Sequence, residues 1–149
     1  MQLSMHTDFA CRVLIYLSLK PRDELSSIKN IAEAYGISEN HLVKVVHQLG
    51  QHGFIETVRG RGGGLRLARD PATISMGDVV RKMEASLALL ECFRDDDRCQ
   101  ISTACALKPW VGKALDAFLA VLDAVSLQEV TANRRALSKQ LATPYNSAT

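Results

Sequence analysis

The stretch from Ser27 to His52, SIKNIAEAYGISENHLVKVVHQLGQH, constrains the fold more than any other part of the chain. Ile28, Ile31 and Ala32 recur at the spacing of one helical face, and Leu42, Val45, Val46 and Leu49 do the same beyond Gly36. Ser27 and Ser38 stand where the two helices would begin, and a serine hydroxyl there accepts from an otherwise unpaired amide of the first turn. Gly36 supplies the left-handed residue that closes the first helix. A turn of only about three or four residues keeps the helices close, so the segment predicts a helix-turn-helix.

After His52 the period changes from helical to alternating. In FIETVRGRGGGLRLA, Phe54 to Val58 reads as one strand and Leu65 to Ala68 as another, joined by glycines that permit a tight hairpin tip. A ribbon directly after a helix-turn-helix makes it winged. Upstream, Met5, Phe9, Val13, Tyr16 and Leu17 define a first helix that ends at KPRDE. Downstream, Ser75 and Asp78 fit a capping box ahead of a short helix. Leu107, Val111, Ala114, Phe118, Val121 and Val125 then alternate by fours and threes along a long helix, whose stripe is expected to pack in part on a second subunit. From Thr131 the periodicity fades, as in a frayed tail. The expected fold class is mainly α with a small two-stranded β wing. Residues 1–74 form the winged helix-turn-helix, 75–130 a loop and dimerisation helices of the same compact chain, and 131–149 a flexible tail.

A chain of 149 residues accommodates one domain. Its apolar runs are too short and interrupted to cross a bilayer, and Asp8 and Arg12 within the first apolar stretch argue against a signal peptide. The expected location is therefore the cytoplasm, where four cysteines are better suited to metal, redox or core roles than to disulfides. No nucleotide fingerprint stands in the sequence, so an enzyme is not expected. The net charge of +2 says less than its distribution: four arginines and no acid lie between Arg59 and Arg69. A basic patch of that kind attracts a phosphate backbone.

In a helix-turn-helix the second helix enters the major groove of double-stranded DNA, and a wing covers the neighbouring backbone or minor groove. The exposed candidates are Ser38, Asn40, His41, Lys44 and His47 on the helix, with Arg59, Arg61 and Arg66 around the wing. The plain alternative is a solvated polar face and surface arginines; the helix spacing, ribbon and basic tip together favour DNA. Two identical reading domains on one operator then imply a homodimer.

Cys92, Cys99 and Cys105 fall within ECFRDDDRCQISTACAL, separated by six and five residues. These intervals are wider than the paired cysteines of structural zinc sites. Thiolates suit iron–sulphur, zinc or copper(I), and three of them leave a tetrahedral centre one protein ligand short. Cys11, Asp8 and His6 are the nearby candidates on the first helix; Cys11 reads as a small buried or interface residue and Asp8 as a helix-dipole partner or a ligand.

HTDFACRVLIYLSL, the helix-turn-helix with its wing, ISMGDVV and the three-cysteine loop together resemble the NsrR family of nitric-oxide-sensing bacterial repressors, related to the iron–sulphur regulator IscR, over roughly residues 3 to 128. The resemblance implies a homodimer with one cluster per subunit, 4Fe-4S or alternatively 2Fe-2S, held by Cys92, Cys99 and Cys105. It further implies that Asp8 of the other subunit completes the coordination, with Arg12 close enough to pair with it, and that nitric oxide is the signal. The family's recognition helix and wing match Ser38–Gln48 and Arg59–Arg66; Cys11 departs from its pattern and keeps a thiol alternative open. The rival reading is a winged-helix regulator that senses oxidant or metal through zinc, a disulfide or a 2Fe-2S cluster.

Overall fold

A computed structural model describes residues 2–143. The Ser4 hydroxyl accepts from the Thr7 amide and opens α1, Met5–Ser18, whose Phe9, Ala10, Val13, Leu14 and Leu17 are buried. In α2, Ile28–Tyr35, Ser27 and Asn30 form a reciprocal capping box, and Gly36 at φ 63° ends the helix. α3, Glu39–Gln51, buries Leu42, Val45, Val46 and Leu49, the four residues expected on its inner face. The predicted helix-turn-helix is therefore present.

The ribbon pairs β1, Ile55–Val58, with β2, Gly64–Leu67, antiparallel in the register Ile55↔Leu67, Glu56↔Arg66, Thr57↔Leu65 and Val58↔Gly64. Gly60 and Gly62 take φ of 99° and 76° at the tip, a conformation that side chains other than glycine resist. Ser26 and Leu65 exchange backbone hydrogen bonds of 3.0 and 2.8 Å, tying the root of the wing to the start of the helix-turn-helix.

A 3-10 turn at Pro71–Thr73 leads to α4, Met76–Met83. Ser75 caps α4 through the Asp78 amide, but the expected box is only half formed: the Asp78 carboxylate turns to Lys82 at 3.0 Å. α5, Leu107–Asp123, follows the cysteine loop. Of the expected stripe, Val125 touches the core while Leu107 and Val121 stay 57% and 67% exposed; Leu119 and Leu122, outside that stripe, also pack inward. Two short helices finish the described chain, α6 at Leu127–Val130 and α7 at Arg134–Leu141. The fading periodicity from Thr131 thus conceals a helix, held where Arg134 donates to the carbonyls of Ser18 and Leu19 at 2.8 and 2.9 Å. The end of the expected tail, 144–149, lies outside the described residues.

One apolar core joins α1, α2, α3, the wing root, α4 and α6, with Phe54, Leu14, Ile31, Leu42, Leu49, Ile74 and Leu127 among its fully buried members. Each such side chain contributes about 1.5–3 kcal/mol. Exposed pairs such as Lys29–Glu33, 3.9 Å apart, add little because water screens them. Packing therefore supplies most of the stability that keeps these helices together, and surface charge is left for other uses.

Candidate nucleic-acid interface and cysteine loop

Asn40, His41, Lys44 and His47 are all exposed on the outer face of α3, with Lys44 one turn beyond Asn40 and His41 and His47 one turn beyond Lys44. Serines precede α1, α2, α4 and α6, and in each case the hydroxyl caps the helix; Ser38 stands in the same place before α3 and makes no cap hydrogen bond. Ser38 is exposed and its hydroxyl is not taken up by a cap, an arrangement suited to phosphate. His41 also leans toward Phe9 of α1, with ring centroids 6.3 Å apart.

Arg59 and Arg61 are exposed at the wing tip, and neither forms an ion pair among the described residues. Arg66 differs. It faces Glu56 across the ribbon and is paired with that carboxylate. The cross-strand register, invisible in residue counts, decides this.

The three loop cysteines all carry free thiols; Cys92 is buried within a 3-10 turn at Glu91–Phe93, and Cys99 and Cys105 are partly exposed. Asp97 organises the loop between them. Its carboxylate accepts from the Ser102 hydroxyl, from the Cys99 amide at 3.1 Å and from the Lys108 ammonium at 3.2 Å. The Ser102 bond, with those of Cys99 and Lys108, overcomes the effect of burial and holds the carboxyl below its usual value. Sequence reading passed over Asp97 as one of three consecutive acids; the signal was its place two residues before a cysteine, where an aspartate accepts from the backbone.

On α1, Asp8 and Arg12 form an ion pair of 2.8 Å, and the Arg12 guanidinium also stacks near the rings of Phe9 and Tyr35, 6.0 and 5.8 Å from their centroids. Cys11 packs against the core, and burial, then the Asp8 charge, push its thiol up to about 11. Asp8, whose side chain is half exposed, is the more accessible donor on this helix.

These features define a winged-helix, DNA-binding transcription regulator. Residues 3–133 match Rrf2, described as iron-dependent transcriptional regulators, and the chain belongs to that family. It is 49% identical over 142 residues to the HTH-type transcriptional regulator NsrR of Bacillus subtilis (strain 168), covering 95% of this chain and 97% of that protein. NsrR of Shouchella clausii (strain KSM-K16) is 46% identical, covering 89% and 90%. Among solved structures, T. potens IscR superposes with a TM-score of 0.72 at 26% identity, over 89% of this chain and 88% of that one. CymR, the global cysteine regulator of B. subtilis, gives 0.71 at 24% identity over 89% and 98%, a likeness of fold. The chain is accordingly a regulator and not an enzyme, and none of its described helices is long and apolar enough to cross a membrane.

The family is described as iron-dependent, and an iron–sulphur centre is the group that the resemblance implies. The donors fit it chemically: three unpaired thiols on one loop, two of them partly exposed. Within one chain, however, no three His, Cys, Asp or Glu side chains gather into a metal-binding group among the described residues.

Proposed function

We propose that this protein is a homodimeric repressor whose hold on operator DNA depends on an iron–sulphur cluster, 4Fe-4S in our reading, and which releases the operator in response to nitric oxide. Cys92, Cys99 and Cys105 would hold the cluster, and Asp8 of the second subunit would supply the remaining ligand. When bound, such a cluster supplies iron and sulphide open to attack by nitric oxide. The protein's own part is mechanical. Asp97 keeps the Cys99 backbone in place, Arg12 orients Asp8, and α3 presents Asn40, His41, Lys44 and His47 to bases while Arg59 and Arg61 reach phosphate. Order in the loop and position of the reading helix would be coupled across distinct sites, which is allostery in the strict sense.

The observation that carries the reading is the three-thiol loop on a chain that shares about half its residues with NsrR over nearly its whole length. The exposed Leu107, Trp110 and Val121 of α5 support a second subunit, since so wide an apolar face is costly in water. The test is the iron, sulphide and zinc content of anaerobically purified protein, with visible spectra and operator gel shifts before and after nitric oxide. About four irons and four sulphides per chain, lost to Cys99→Ala, with operator release by nitric oxide, are expected. Stoichiometric zinc, no metal, or operator affinity indifferent to nitric oxide would overturn the proposal and leave a regulator that senses oxidant or metal through its thiols.

A further inference from the structure

Both ends of the Gln48 side-chain amide are engaged. Its Oε1 lies 2.7 Å from Nε2 of His6 on α1. Its Nε2 donates at 2.8 Å to the carbonyl of Lys82 in the last turn of α4. Since the amide nitrogen donates to Lys82, the amide oxygen is the acceptor and His6 Nε2 carries the shared proton. The Lys82 carbonyl is one of the acceptors that a helix leaves unsatisfied at its C-terminus, so Gln48 caps α4 from a neighbouring helix.

A second set of bonds closes the ring. The Ser4 amide and hydroxyl donate to Glu84 Oε1 at 2.7 and 3.0 Å, joining the start of α1 to the residue that follows α4. Burial pushes the Glu84 carboxyl up, but bonds from Thr7 and Ser4 and the charge of His6 outweigh it and hold the group below its ordinary value. Three elements thus meet here: α1 two residues before Asp8, the second half of the reading helix, and the end of α4, from which the chain runs to Cys92.

The buried side chains of α3, Leu42, Val45, Val46 and Leu49, meet the body through apolar contacts, and His41 lies against the Phe9 ring. Apolar contacts are non-directional and let a helix slide or roll by small amounts, whereas a two-ended amide admits one placement. Among the described residues, the bonds of Gln48 are the only side-chain hydrogen bonds that join α3 to another element. Because α3 is a single helix of 13 residues, whatever sets Gln48 also sets Lys44 and His47.

We infer that Gln48 is the positioning residue of the reading helix, pinned between His6 and the end of α4, and that through it order in the cysteine loop reaches the DNA-reading face. The second half of that statement rests on the proposed cluster switch; the first does not.

The experiment compares wild type, Gln48→Met, His6→Phe and the double variant, each loaded with cluster and free of it. Two probes are used: a duplex selected from a random library by the wild-type protein, and a duplex of random sequence. Gln48→Met keeps the volume and removes both bonds. Its preference for the selected duplex should fall about tenfold, with random-duplex affinity unchanged. The double variant should be no worse than Gln48→Met, because both substitutions break one connection. The ratio of loaded to cluster-free affinity should also move toward one. Undiminished preference in Gln48→Met overturns the positioning role, as does a wild type that selects no sequence. Equal affinity of loaded and cluster-free wild type would instead defeat the switch, while the Gln48→Met preference still decides the positioning. Should Gln48→Met not fold, His6→Gln, which retains a donor, is set against His6→Phe: wild-type preference in the former and loss in the latter support the inference, and equal behaviour refutes it.

Discussion

Asp97 and Cys11 show how one side chain's surroundings set its use. The Asp97 carboxyl is held below the usual 3.8, so its bonds stabilise the loop above that value and are lost as pH falls through the lowered one. Hydrogen exchange at the Cys99 amide should accordingly accelerate only in strong acid in the wild type, and at neutral pH in Asp97→Ala; equal protection in both at pH 7 would remove Asp97 from the role. Cys11 is shifted the opposite way, from 9.0 to about 11. At pH 8 its thiolate fraction is about a hundredfold below that of an ordinary thiol. Alkylation of Cys11 should be slower by that factor than alkylation of free cysteine, and comparable rates would show that the thiol is not desolvated.

At the scale of elements, the crossing of α4 over α5 depends on Gly77. A β-carbon there would collide with the Asp123 carboxylate and come 2.8 Å from the Asp123 backbone nitrogen, so swinging the side chain away would not relieve it. Asp123 is also held by Arg81, whose hydrogen bonds keep the carboxyl below its usual value. Gly77→Ala should cost about 1–3 kcal/mol by overpacking. Thermal unfolding would show this as a Tm lower by several degrees, and an unchanged Tm would mean that the helices separate freely. The wing makes a different prediction. Arg59→Ala and Arg61→Ala should each weaken binding to any duplex and lower the salt slope by about one, whereas Arg66→Ala should do so less, because Glu56 already occupies that guanidinium. Equal slopes for all three variants would put Arg66 on phosphate.

For the whole molecule, the surface on which the proposed homodimer would rest is α5. Leu119 alone is buried in a helix of 17 residues, and Trp110 remains 66% exposed. Val121→Asp should convert a dimer to monomers in sedimentation and weaken operator binding more than random-duplex binding; a variant that stays dimeric would move the interface elsewhere. The local elements around the reading helix were legible from the amino-acid sequence because each rests on neighbours in the chain. Helical spacing marked α1 to α3, Gly36 marked the turn between them, and alternation flanking glycines marked the ribbon. The cysteine loop was equally visible as three thiols on one segment. Other features arise only when distant segments meet, and tertiary structure alone decided them. Arg66 meets Glu56 through strand register, Gln48 bridges α1 and α4, and Arg134 anchors a terminal helix with no conspicuous period. Spacing reports which face of an element is apolar, but a hydrogen bond between elements depends on the angle at which they pack, and that angle is a property of the assembled core.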